Sequence, residues 1–134
     1  MEIDFLAAGL AGLSAFFLGY LWYNVLFSKP WKQLIGLSTE TKYLDKTETP
    51  NLSRLLLGSL ILEMLMALNL AAFIGPAATW QFGLGAGIAT GLGFVSLALG
   101  VSYMFEGKPF KLWLINAGYN TVLFAVMGLI IGVM

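Results

Sequence analysis

One acidic residue stands alone in the apolar run Leu60-Ile61-Leu62-Glu63-Met64-Leu65-Met66, with no charged neighbour in sequence. A carboxyl near mid-bilayer costs ~2.5–3.5 kcal/mol to insert, so it rarely faces lipid. Two chemistries fit Glu63. It binds a proton or cation, as in a carrier or channel, or it is a protonated acid hydrogen-bonded to a neighbouring helix and fixes packing. Ser59, one turn away on the same face, is its local candidate partner, and Asn69 lies roughly 120° round the helix. A second polar group is Asn116, Tyr119 and Asn120. The two asparagines are four apart and share a helical face. Amides in a bilayer hydrogen-bond across helices for ~0.6 kcal/mol on average. They are either glue between helices or the lining of a polar pocket with Glu63 or with the turn at Glu106. Tyr20 and Asn24 add polarity near the end of the first apolar stretch.

The chain contains no His and no Cys. Disulfides, zinc sites, iron–sulfur clusters, thiol nucleophiles and Ser-His-Asp arrangements are therefore excluded. A lone acid with lysines and tyrosines at a rim falls short of a catalytic constellation, so no enzyme activity, metal or cofactor is expected. Seven basic and seven acidic residues balance, and the net charge of +0 leaves no footprint for nucleic acid.

The elements that must carry these residues follow from composition. Of 134 residues, 59% are hydrophobic and 10% charged, against ~45–50% and ~25% in soluble domains. The expected class is all-α: an integral-membrane bundle of four transmembrane helices forming a single domain, 1–134. A span needs about 20 apolar residues, and four stretches supply them, near 3–27, 52–74, 82–105 and 110–133. Pro50, Pro76 and Pro109 sit beside helix ends, where a missing N–H does no harm.

All seven basic residues lie in or beside the first and third loops: Lys29, Lys32, Lys42, Lys46 and Arg54, then Lys108 and Lys111. The positive-inside rule makes those loops cytoplasmic and both termini extracytoplasmic. The expectation is a multi-pass protein of the inner (plasma) membrane. Acidic Glu2 and Asp4 and a long apolar stretch argue against a cleavable signal peptide. Trp22, Tyr23, Trp31, Tyr103 and Trp113 read as an interfacial belt, with Trp80 near the other face. In the loop 28–51, Pro30, Trp31, Leu34, Ile35 and Leu37, interleaved with Lys29 and Lys32, fit a short helix on the inner leaflet.

Small residues let membrane helices approach closely. Gly83, Gly87 and Gly91 form one row in the third span, and Gly85, Ala89 and Gly93 a second on the nearly opposite face. The third span is accordingly expected at the centre, one row packing within the subunit and the other against a second copy. Ala8, Gly12, Ala15 and Gly19 in the first span, and Gly128 and Gly132 in the fourth, are similar stripes. A homo-oligomer, most simply a two-fold dimer, is the expected partner state beside the bilayer. In the third loop, Gly107 permits a sharp reversal, Pro109 starts the last helix, and Glu106 can pair with Lys108 or Lys111.

Two segments carry a resemblance. Leu18-Gly19-Tyr20-Leu21-Trp22-Tyr23 with Phe27, Lys29 and Trp31 is one. Tyr103-Met104-Phe105-Glu106-Gly107-Lys108-Pro109, continuing through Lys111-Leu112 to Ile115-Asn116-Ala117-Gly118-Tyr119, is the other. Together they resemble an uncharacterised family of small bacterial membrane proteins, domain-of-unknown-function family 1761. The likeness in length and four-span layout covers essentially the whole chain. It implies the fold and the importance of Trp22, Tyr23, Glu106, Lys108, Asn116 and Tyr119, and it supplies no activity. Asn24 stands where the family usually has Gly, and Asn120 where His is frequent. Glu63 lies outside both segments.

Two functions emerge. The first is a homo-oligomeric helical bundle with a structural or accessory role. The alternative is a proton- or cation-coupled small transporter or channel subunit using Glu63, its ligand unknown.

Overall fold

Asp4 opens the first helix by accepting the Ala7 backbone N–H at 3.1 Å, which satisfies one donor stranded at a helix start. Helix α1 (Phe5–Leu21) runs directly into a wide π-type turn, Trp22–Leu26, and a short α2 (Ser28–Ile35) follows. Next come α3 (Leu52–Ile74) and α4 (Trp80–Thr90), whose first turn Thr79 caps by accepting from Phe82 N–H. A second π-type turn, Gly91–Ser96, leads into α5 (Leu97–Glu106), and α6 (Phe110–Val133) closes the chain. The computed structural model describes residues 3–35, 52–75 and 78–134, and among them helix is the only regular structure. Glu2, Leu37, Lys42, Lys46, Pro50 and Pro76 lie outside the described residues.

Four of these helical runs are long and apolar enough to cross a membrane: Phe5–Leu26, Leu56–Ile74, Trp80–Glu106 and Phe110–Val133. The shortest has 19 residues, about 28 Å at ~1.5 Å per residue, which matches a hydrocarbon core of ~30 Å. The outward faces are apolar, with Phe73 91% and Phe105 90% exposed. Such a surface is an aggregation hazard in water and well solvated in lipid. This is the pattern of a multi-pass membrane protein.

Helix α6 is the centre, packing on α1, α3 and α4 and burying Leu123 and Met127 completely. The third span, expected there, sits at the side. Only one of its two small-residue rows meets a helix, and α5 buries no residue. A Cβ on Gly83 or Gly87 would fall on the backbone carbonyl of Gly128 or Phe124, and one on Gly91 would lie 2.6 Å from the Asn120 carbonyl. Gly128 and Gly132 are equally tight against the backbones of Gly83 and Thr79. The backbones of α4 and α6 therefore touch, which is how helices associate where lipid removes the hydrophobic drive. The opposite row, Gly85, Ala89 and Gly93, is exposed.

On the other side, α1 packs on α3, with Met64 seated against Gly12, and buries Ala8, Ala11 and Ala15 in the shared core. The segment after the first span is helical, as an amphipathic pattern requires, but it does not merely float on a leaflet. Trp31 packs with Leu112 and Ile115 of α6, and Lys32 is 3% exposed.

The turn between α5 and α6 depends on Gly107, whose φ of +69° is left-handed. Its N–H and that of Lys108 close on the carbonyls of Met104 and Tyr103. A β-branched residue there costs roughly 1–2 kcal/mol. Gly107→Val is thus expected to lower the thermal unfolding midpoint, and Gly107→Asn to lower it less. Tryptophan fluorescence in detergent checks both.

Candidate binding site

Glu63 faces inward from the middle of α3 and is 8% exposed. The residue that reaches it is Tyr119 of α6, whose hydroxyl donates to Glu63 Oε1 at 2.7 Å and lies 3.4 Å from the Ala15 carbonyl of α1. Gly19 makes that reach possible, because a Cβ there would sit 3.0 Å from the Tyr119 hydroxyl. The second carboxyl oxygen, Glu63 Oε2, is buried with no hydrogen-bond partner among the described residues. An orphaned buried polar atom costs ~1–3 kcal/mol, and native structures hold few of them.

Beside this carboxyl a cleft of about 620 Å³ opens between the first span and α3. The first span lines it with Phe16, Phe17, Gly19, Tyr20, Tyr23 and Asn24, and α3 with Leu56, Ser59, Leu62, Glu63 and Met66. Tyr119 completes the lining from α6. Ser59 thus shares the cleft with Glu63, but the bonded partner is Tyr119. Asn69 is exposed and outside it.

The four polar residues expected together divide into three places. Glu63 and Tyr119 form the cleft site. Asn116 sits in a neighbouring cluster, donating to the Tyr103 hydroxyl at 2.7 Å and accepting from the Tyr23 hydroxyl. Asn120 joins neither, because its Nδ2 donates back to the Asn116 carbonyl at 2.8 Å within α6. Tyr23 bridges the first two places: it lines the cleft, and its ring stands edge-on to that of Tyr119 at 5.1 Å. The turn joins from the other side. Glu106 pairs with Lys108 at 3.5 Å, and Lys108 Nζ lies 4.9 Å above the Tyr103 ring. That ion pair is exposed, so it contributes ~0–1 kcal/mol and mainly shapes the turn.

The residues read as an aromatic belt, Trp22, Tyr23, Trp31 and Trp113, also make contacts within the bundle. Trp22 Nε1 donates to the Ile115 carbonyl at 3.0 Å and Trp113 Nε1 to the Ser96 carbonyl at 2.8 Å. Gly118 and Gly100 make room for those two rings. The Trp31 ring lies 4.8 Å from that of Tyr23. Indoles find a hydrogen-bond partner when buried, and close-packed helices offer carbonyl lone pairs.

Two features were not singled out from sequence. Phe16, Tyr20 and Tyr23 are spaced i, i+4, i+7 and form the aromatic wall of the cleft, a pattern that could have been found. Ser96 is fully buried, its hydroxyl donating to Gly91 at 2.6 Å and near Ala117 and Thr121. No sequence signal marks it apart from other serines.

A family model described as "Protein of unknown function (DUF1761)" matches residues 6–132. The chain belongs to this family. No curated protein and no solved structure matches it. In this DUF1761 member, the two segments that carry the resemblance meet in two adjoining clusters, the cleft site and the Asn116 cluster beside it. Tyr23 comes from the first, and Tyr103, Asn116 and Tyr119 from the second. Glu63 comes from neither and is joined to them through Tyr119.

Proposed function

We propose that this DUF1761 member is a small membrane carrier whose Glu63 carboxyl takes up and releases a proton or a cation through the cleft between α1 and α3. The carrying observation is Glu63, which lines a cavity of about 620 Å³ and whose Oε2 is buried with no hydrogen-bond partner among the described residues. An acid that only fixed packing would satisfy both oxygens, because an orphan weakens the packing it serves. The lining runs from Phe16 and Met66 toward Asn24 and Leu56, at the end of the bundle where Trp31 meets Leu112. Lys29, Lys32, Arg54, Lys108 and Lys111 flank the helices at that end, so the positive-inside rule makes it cytoplasmic and puts both termini outside a plasma (inner) membrane. No catalysis, metal or cofactor is part of this function.

A homo-oligomeric structural role is the second reading, favoured by the exposed Gly85, Ala89 and Gly93 row, where a Cβ on either glycine meets nothing within 4 Å. The two readings separate by accessibility. The chain has no Cys, so single cysteines need no background removal. In intact membranes, Ser59→Cys in the cleft is expected to react with a small charged thiol reagent, while Ala67→Cys, at 0% exposure in the core, is protected. Equal protection of both until denaturation would mean a dry interface and end the carrier reading.

A further inference from the structure

Resting on the reading of Glu63 as an exchanging carboxyl, we infer that the cleft takes a lipophilic organic monocation, which binds in exchange for a proton. Each wall selects for that class. The charge-bearing group is a single carboxyl, on a residue 8% exposed, with Oε2 lacking a partner among the described residues. One carboxyl balances one positive charge. Among the described residues no Lys or Arg lines the cleft, so an anion finds no counter-charge there. A hard divalent ion takes about six or more oxygens, whereas the lining adds to the carboxyl only the hydroxyls of Ser59 and the tyrosines and the Asn24 amide. Among the described residues no three acids gather that could hold a metal.

The remaining lining is ring and aliphatic surface. Phe16, Phe17, Tyr20 and Tyr23 supply aromatic surface on the first-span wall of the cleft, across from α3. Ring faces attract cations, the more so when both are desolvated. A cleft of about 620 Å³ falls within the range of drug-sized ligand pockets, ~300–1,000 Å³. It is bounded by two apolar spans, so a ligand that partitions into lipid reaches it without crossing a polar barrier.

Tyr119 sets the alternative between proton and cation. Its hydroxyl has one hydrogen and two acceptors in reach, Glu63 Oε1 and the Ala15 carbonyl. With a cation at Oε2, the carboxylate is ionised and Tyr119 donates to Oε1. When the acid is protonated, Glu63 donates its proton to the Tyr119 oxygen, and the tyrosine hydrogen turns to Ala15. The exchange is balanced: carboxylic acid plus cation gives the carboxylate–cation pair and a proton released to water. Among the described residues, the titratable groups that line the cleft with Glu63 are Tyr119 from α6 and Tyr20 and Tyr23 from the first span, none of them basic.

The test is calorimetric titration of the full chain in detergent with tetraphenylphosphonium, in two buffers of different ionisation enthalpy. The expected result is saturable binding with close to one proton released per cation, weakening as pH falls. Tetraphenylborate, of the same shape and opposite charge, is expected not to bind. Glu63→Gln should weaken phosphonium binding about 100-fold or more. Tyr119→Phe keeps the carboxyl and should weaken it about tenfold, one hydrogen bond to a charged group. Binding without proton release, or unchanged in Glu63→Gln, overturns the inference. If tetraphenylphosphonium fails to bind while Ser59→Cys is still labelled, the organic-cation class is wrong and the exchanging carboxyl stands. If Ser59→Cys is protected as well, both fall.

Discussion

Gly87→Leu is expected to leave almost no folded protein. A Cβ at this position lands on the Phe124 backbone carbonyl and close to the Ala125 Cα, and neither can rotate aside as a side chain would. Overpacking ordinarily costs ~1–3 kcal/mol. Here a whole isobutyl group must fit where two backbones touch, so α4 has to leave α6. The same displacement uncovers Gly83, Gly91, Gly128 and Gly132, which are seated along the same seam. Size-exclusion chromatography of detergent extracts should show aggregate for Gly87→Leu and a symmetric peak for Gly85→Leu, where the added side chain meets nothing within 4 Å. A well-folded Gly87→Leu protein would mean that α4 does not pack on α6 through this row. A change of oligomer size confined to Gly85→Leu would instead strengthen the case for a dimer through the exposed row.

Glu63→Gln is expected to separate stability from function completely. The amide oxygen still accepts from the Tyr119 hydroxyl, and the amide nitrogen takes the place of the unpartnered oxygen, so the helices remain joined. Losing a charged hydrogen-bond partner while keeping a neutral one should change stability by about 1 kcal/mol or less. Proton exchange at this position, by contrast, must fall to zero, since an amide has no proton to give within the physiological range. Thermal unfolding followed by tryptophan fluorescence reads the first effect, and proton release on ligand binding reads the second. Retained proton release in Glu63→Gln would assign the exchange to another group. Glu63→Leu, which leaves Tyr119 without that acceptor, should be the less stable variant of the two.

Hydropathy alone was enough to read the four membrane-length helices, because each is an unbroken apolar run whose ends carry turn residues such as Gly107. The lone acid at position 63 was legible for the same reason: in an apolar run a carboxyl is conspicuous. What periodicity leaves open is which helix meets which. Asn116 and Asn120 share a face by spacing, yet Asn120 bonds to its own helix while Asn116 reaches Tyr23 and Tyr103. The two glycine rows of the third span look alike in sequence. Only the relative placement of α6 decides that Gly83, Gly87 and Gly91 are covered and that Gly85 and Gly93 are not. Interfacial enrichment of Trp and Tyr is a statistical rule and does not say where an indole N–H goes: Trp22 and Trp113 each lie over a glycine and reach a backbone carbonyl. The contact between Glu63 and Tyr119 joins residues 56 positions apart in sequence, and no local pattern encodes it.

The most direct measurement is the reactivity of Glu63 itself. A hydrophobic carbodiimide partitions into lipid and adds to carboxylic acids in their protonated form, giving an N-acylurea that retains every atom of both partners. Among the described residues, Glu63 is the one acid in the interior of a membrane-length helix, so peptide mapping by mass spectrometry resolves it from the others. The account predicts an adduct on Glu63 in intact membranes, absent from Glu63→Gln, forming more slowly as pH rises because the carboxyl exchanges its proton with solution. An adduct that appears only after denaturation, or at a rate indifferent to pH, would show a sealed structural acid and contradict the account.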